Sequence, residues 1–423
     1  MSRANYVREL RTAFTYPIAA AMTEGTFAGV IANKYFDASM SLNAVLVAAP
    51  MFGSIMAIYW TSRAAGRRLI PFINALQIVL ICCVALIATT RLIPDDHRTM
   101  AGWLFAALIV AARLVASGII ALRGVMWRFN YPSRARGQIV SRITVVTTGV
   151  LVIATLVAGL FLDQYPGLYV YIYLVGALMG LAGVVQFSRI HVRGERAYLR
   201  KAPPPVRVGF FKTLFTAFKH SAILLKEDPT FRAYQRWQFF QGFSFMMAQP
   251  VMTWIVSKEL TDQKSDYLLA TFLVFALPQF TMMVFSQVWA PLFDRVSIFR
   301  FRALQSLAAL LAHVVLATSM LMGNLWVFAL AGILLGVSNA GGNLAWNLGQ
   351  SAFAGKDRIA NYQGVHVMLT GVRGLLAPFV ATLILFPLMG RWVFVVITLT
   401  CGVATVGYWR MYRRERRSDG AAR

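Results

Sequence analysis

The amino-acid sequence predicts an all-α polytopic membrane protein with twelve transmembrane helices, and three observations lead there. The 423-residue chain is 58% hydrophobic and only 13% charged, whereas a soluble domain needs roughly a quarter charged residues for its surface. Its apolar residues gather into twelve long stretches, each near the length of about 20 residues that crosses a hydrocarbon core of about 30 Å. Finally, the basic residues fall almost entirely on alternate connections between those stretches.

The expected spans cover 13–31, 42–61, 69–89, 101–122, 139–162 and 168–187. After a long polar interval come 237–256, 267–291, 301–322, 325–348, 359–385 and 392–412. The first begins behind Arg3, Arg8 and Arg11, as a secretory leader would. It is too long for one, contains Glu24 and lacks a convincing small-residue cleavage site, so a retained helix is expected. With this layout roughly 32 of the 41 Lys and Arg lie on the amino-terminal side, about six opposite and about three within spans. Both termini are therefore expected on the cytoplasmic side of the plasma membrane. The net charge of +25 would suit nucleic acid, but basic residues beside spans have anionic membrane lipid as their nearer partner, and no nucleic acid is expected. Cys82, Cys83 and Cys401 lie in apolar stretches; adjacent Cys82 and Cys83 cannot readily bridge, and none has metal-ligand spacing.

The polar interval sets the expected organisation: six spans in 1–187, a cytoplasmic linker over 188–236, six spans in 237–412 and a basic tail over 413–423. Within the linker, Pro203-Pro204-Pro205 precedes a stretch over 208–226 in which Phe211, Leu214, Phe215, Phe218, Ala222 and Leu225 recur at three and four residues. Lys212, Lys219 and Lys226 recur every seven on another face. This pattern predicts an amphipathic helix on the cytoplasmic surface, either a tether between the halves or a regulatory element. The halves echo each other. Glu24-Gly25 and Gln241-Gly242, Trp127 and Trp346, and Thr148-Gly149 and Thr370-Gly371 stand 217, 219 and 222 residues apart. Such constant spacing points to an internal repeat of six spans, a construction of secondary transporters.

Two sets of six spans, a long basic linker and cytoplasmic termini resemble the major facilitator superfamily over nearly the whole chain. That family carries a Gly-x-x-x-Asp-Arg-x-Gly-Arg-Arg-like loop after spans two and eight. Here Gly66-Arg67-Arg68 keeps its end, with Arg63 where the carboxylate would stand, and Asp294-Arg295 followed by Arg300 and Arg302 keeps its acidic-basic core. Arg113 and Gly118 resemble the Arg-containing motif of span four with one residue more between them. The Gly-Pro motif of many drug antiporters is missing from 145–162. The resemblance implies two pseudo-symmetric bundles, spans one, four, seven and ten around a central cavity, and a gating role for Arg63, Arg67, Arg68, Asp294, Arg295, Arg300 and Arg302. It implies a small-molecule substrate moved by alternating access. A monomer without a cofactor or metal is expected.

An isolated ion in a membrane core costs at least about 2.5–3.5 kcal/mol, so each intramembrane charge needs a partner or a wet cavity. Glu24 is the one acidic residue expected deep in a span. With Arg113 it forms either a proton-coupling pair or a structural ion pair. Arg123, nearer the end of span four, is expected to snorkel to the surface. Arg373 has no carboxylate of its own among the spans, so an anion in the cavity or backbone carbonyls must satisfy it; with three intramembrane Arg against one Glu, an anionic or strongly hydrogen-bonding substrate is favoured. His366 and His313 are read as a proton relay or as packing residues. Asn339, Asn343, Trp346 and Asn347 form a polar stripe on span ten, and Gln241 and Gln249, beside Pro250, another on span seven. Each is a substrate wall or interhelical glue.

No Gly-x-x-x-x-Gly-Lys-Ser/Thr loop occurs, and no cytosolic segment is long enough for an ATPase domain, which excludes an in-chain ATP-driven pump. Five scattered His without His-x-x-x-His or His-Glu-x-x-His spacing argue against a membrane enzyme. The expectation is a secondary transporter driven by H+. The alternatives are an exporter of amphiphiles, which the many Phe and Met would suit, and a sensor that binds without transporting.

Overall fold

The computed structural model describes residues 2–201, 209–262, 264–354 and 358–421, and among them every regular element is helical. The triple proline and the first residue of the amphipathic stretch lie outside the described residues. In chain order the longer helices are α1 (Ser2–Met22), α2 (Gly25–Tyr35), α3 (Met40–Ala64), α4 (Leu69–Leu86), α5 (Arg98–Asn130), α6 (Ser133–Gln164) and α7 (Tyr169–Phe187). After the short α8 (Glu195–Lys201) come α9 (Phe210–Glu227), α10 (Pro229–Ile255), α11 (Tyr267–Thr271), α12 (Leu277–Arg295), α13 (Ile298–Met322), α14 (Leu325–Leu348), α15 (Ile359–Phe379), α16 (Phe386–Met389) and α17 (Val393–Ala421). Turns of π-helix occupy Val256–Leu260, Phe272–Ala276 and Val380–Leu385.

Nine helical runs among the described residues are long and apolar enough to cross a membrane. The first expected span is not one of them, because the chain leaves the helix at Thr23 and Glu24, and α1 itself carries Arg8, Glu9 and Arg11. Glu24 is extended (φ −65°, ψ 124°). Gly25 then brings α2 against α3 so closely that a Cβ there would lie 2.6 Å from the Leu46 carbonyl oxygen. The continuous helix expected over 13–31 is thus two helices meeting at the acidic residue. The seventh expected span, inside α10, is too rich in amides to qualify, and the last two fall within one run.

By its internal contacts the chain divides into two units, Met1–Leu214 with Thr261–Thr271, and Phe215–Leu260 with Phe272–Arg423. In the first, α1 packs on α7 and α6, α3 and α4 pack on α5, and α4 on α7. In the second, α10 packs on α17 and α15, α12 and α13 pack on α14, and α13 on α17. Taken in order, the second unit repeats the helix pairings of the first. Glycines make the tightest seams. Added Cβ atoms at Gly176, Gly180 and Gly183 of α7 would lie 2.7–2.8 Å from Met22, Ala19 and Tyr16 of α1, the close approach that small residues permit between membrane helices. Large apolar side chains such as Ile120, Ile153, Leu178, Val288 and Leu399 point outward, as lipid-facing residues do. On α9, Phe211 and Phe215 are exposed while Leu224 is buried.

Candidate functional site

The break at Glu24 places its carboxylate 3.5 Å from an Arg113 guanidinium nitrogen. Both side chains remain partly accessible, at 19% and 15%. Arg113 is held there by a close α3–α5 seam. A Cβ on Gly53 would meet the Arg113 carbonyl at 2.9 Å, one on Gly118 would meet the Trp60 ring at 2.6 Å, and the Trp60 indole donates to the Leu114 carbonyl at 2.9 Å.

A second acid in the same unit escaped sequence reasoning. Glu9 is completely buried on α1 and accepts hydrogen bonds from Arg123 (3.2 Å), the Trp127 indole and the Tyr131 hydroxyl (2.6 Å). Burial, then the neighbouring Glu9 carboxylate, pushes the Tyr131 hydroxyl well above its ordinary pKa, so it stays a donor. Arg123 also covers the Trp127 ring at 5.3 Å. The expectation that Arg123 snorkels is corrected: its charge is held inward by Glu9. Glu9 lies just before the apolar stretch, outside the expected span 13–31; only the extension of α1 back to Ser2 brings it inside.

In the second unit Arg373, 4% exposed, donates to the Gln238 carbonyl (2.7 Å) and the Thr370 hydroxyl (2.9 Å). Gly242 makes the room, since a Cβ there would lie 2.5 Å from the guanidinium carbon. Arg302 departs from the loop set in which sequence placed it. It is buried in α13 and donates to Gln305 (3.0 Å), to Gln241 (2.7 Å) and to the Tyr408 hydroxyl, with its guanidinium 4.6 Å from the Tyr408 ring centre. One turn of α13 carries it from the aqueous end of the helix into the bundle. Neither arginine has a carboxylate partner among the described residues.

The polar stripes separate. Gln241 is buried and joins Arg302 to Gln305, whereas Gln249 is half-buried and its carbonyl accepts the Thr253 hydroxyl. Trp346 stacks edge-on against His366 at 5.3 Å and donates to Thr370 at 3.3 Å. Asn347 donates to Asn343 on an exposed face, and Asn339 is half-buried. His366 is fully buried with Nδ1 3.3 Å from Gln235, and His313 contacts the Ala309 carbonyl at 2.7 Å.

Of the basic loop residues, Arg63 donates to the Tyr59 hydroxyl, Arg67 lies over Phe72, and Arg68 stands 3.9 Å from Glu195. Glu195 also accepts the Leu69 N–H at 2.7 Å. It caps α4, a role invisible in a linear reading because the two residues are 126 apart. Asp294, Arg295 and Arg300 are exposed; Ser297 caps α13 and donates to Glu415. No cluster able to hold a metal ion occurs among the described residues.

A helical fold of this kind defines a class of integral membrane proteins, and comparison supplies the family. The family model of the Major Facilitator Superfamily matches residues 13–372, and the chain belongs to that superfamily. No curated protein matches the sequence. Among solved structures, a point mutant of the nucleoside transporter NupG is 11% identical, covering 96% of this chain and 100% of its own with a TM-score of 0.70. A partially occluded inward-open xylose transporter XylE from E. coli is 12% identical over 97% of each chain, with a TM-score of 0.66. A POT family transporter in complex with a thioalcohol-conjugated peptide is 12% identical over 96% of each, with a TM-score of 0.67. At these identities the likeness is one of fold.

Proposed function

We propose that the chain is a secondary transporter of a small polar or anionic solute, working by alternating access and coupled to protons through Glu24 and Arg113. The observation that carries this reading is the Glu24–Arg113 pair. A carboxylate sits where the helical chain is interrupted, paired at 3.5 Å with an arginine, and both side chains remain partly accessible. A proton arriving on Glu24 neutralises it and leaves the Arg113 charge uncompensated, so the two protonation states differ in what they present to solute. A similar fold belongs to a protein described as a D-xylose–proton symporter. The repeated helix pairings support twelve spans in two related six-helix bundles; the bias of Lys and Arg toward the amino-terminal side favours cytoplasmic termini, and the proposal includes a plasma-membrane location and a monomeric working unit. Proton coupling through His366 is less favoured: its ring is sealed against Gln235 and Trp346.

The test begins by screening pooled metabolites for thermal stabilisation of purified protein, because a ligand raises apparent stability by mass action. With that solute in liposomes, Glu24→Gln should abolish accumulation driven by a pH gradient and leave counterflow largely intact. Counterflow lost as well would make the pair a binding or folding element, and gradient-driven accumulation at the parental rate would remove the proton role. A solute set dominated by cationic amphiphiles would favour an exporter of such compounds, and binding without counterflow a sensor.

A further inference from the structure

The stretch Thr261–Thr271 folds with the first unit although the chain on both sides of it belongs to the second. Its attachment is specific. Lys34, at the end of α2 and 8% exposed, donates to the Thr261 hydroxyl (3.0 Å), the Ser265 carbonyl (2.7 Å) and the Asp262 carbonyl, so all three ammonium protons have acceptors. Asp163, in the last turn of α6, accepts the N–H of Tyr267 and that of Leu268 (3.2 Å), occupying the N-terminal donors of α11. Between these anchors the backbones touch, because a Cβ on Gly159 would lie 3.0 Å from the Leu268 Cα. The stretch is also braced internally. The Asp262 carboxylate accepts the N–H of Lys264 (2.8 Å) and of Ser265 (3.0 Å), and Asp266, at φ +58°, accepts that of Asp262 (3.0 Å).

What sets this stretch apart is its ends. The residues immediately before it, Val256–Leu260, and immediately after it, Phe272–Ala276, are both turns of π-helix. A π turn holds one residue more than the α-helix around it needs, and it can shift along the helix by exchanging i→i+5 for i→i+4 bonds; such turns gather at functional sites. Two of them bracketing one braced segment form a pair of joints.

We infer that residues 261–271 are a strap that leaves and rejoins the first unit as one body, hinged at the two π turns and latched by Lys34 and Asp163. Its part in a transport cycle rests on the transporter reading above; docking itself does not. In the proposed orientation the strap lies on the side of the membrane away from the termini. Polar anchors suit a reversible latch, because water replaces each lost hydrogen bond when the strap lifts.

Hydrogen–deuterium exchange of the full-length protein in lipid nanodiscs tests this without any solute. Lys34→Met should speed exchange of the amides across 261–271 together by about tenfold or more, leaving 244–255 and 280–290 at parental rates. Asp163→Ala should give the same regional pattern through a different anchor, as should Gly159→Leu, which wedges the backbones apart with both polar anchors intact. Acceleration confined to the residues beside each substitution would overturn the single-body strap. So would acceleration spreading equally through α10 and α12, which would place the joints elsewhere than the π turns. Parental exchange across 261–271 in all three variants would overturn the latch, whereas an absence of counterflow in the parental protein would count against the transporter reading and leave docking untouched.

Discussion

Glu9 shows how much one side chain can organise. Its fully buried carboxylate takes three donors from α5 and the residue that ends it, Arg123, Trp127 and Tyr131. Breaking a buried pair by neutralising one partner leaves the other charge uncompensated and typically costs about 3 kcal/mol or more. Glu9→Gln should therefore lower the stability of the purified protein by about 3 kcal/mol in a denaturant titration, and pairing it with Arg123→Met should restore part of the loss. Additive losses in the double variant would show that the pair does not couple. Lys34 offers a titratable counterpart. Burial, opposed by the carboxylates of Asp266, Asp262 and Asp163, holds its ammonium down to about 8 from 10.5, with the Tyr267 ring 5.7 Å away. Once undocked it would titrate near 10.5, so between about pH 8 and 10.5 the undocked form binds the additional proton. Raising the pH through that window should favour docking of 261–271, and below about 8, where both forms are charged, the balance should be flat. Exchange protection corrected for intrinsic rates would read this, and Lys34→Met should erase the dependence.

Among the helices, seams without side chains decide which pairs lie closest. Gly183 faces the backbone of α1, where an added Cβ would meet the Tyr16 nitrogen at 2.8 Å and Cα at 2.9 Å. Backbone cannot rotate away as a side chain does, so Gly183→Ala should destabilise by about 2 kcal/mol through overpacking. Gly149 on α6 has open space around it, and Gly149→Ala should instead gain up to about 1 kcal/mol from helix propensity. Equal thermal shifts for the two would contradict the close approach of α1 and α7. The same contrast explains the legibility of elements. Long apolar runs announced most helices, since a bilayer demands internal backbone hydrogen bonding whatever the detail. The break at Glu24 was not legible, because it depends on Gly25 meeting the Leu46 carbonyl of another helix.

At the scale of the whole molecule, the buried charges among the described residues are unevenly compensated. In the first unit Glu24 faces Arg113 and Glu9 faces Arg123; in the second, Arg302 and Arg373 rest on amides, hydroxyls and a carbonyl. Uncompensated guanidinium groups attract anions, and Lys cannot reproduce their planar fork. For an anionic solute, Arg373→Lys should weaken binding and Arg373→Ala should weaken it further, by about 10- to 100-fold, read as the solute concentration giving half-maximal thermal stabilisation. Affinity indifferent to both changes in folded protein would point to neutral or cationic solutes. By itself the sequence determined the helical membrane class, because apolar length and charge bias are properties of the linear chain; its constant residue spacings predicted the internal repeat, and only the resemblance to a family implied that Glu24 and Arg113 meet, as they do at 3.5 Å. Tertiary structure alone decided that Glu9 and Arg302 are buried, that Glu195 caps α4 and that 261–271 joins the first unit. Each of those outcomes depends on a partner far away in sequence, and the free energy of a buried charge or a helix end is set by what folding brings beside it.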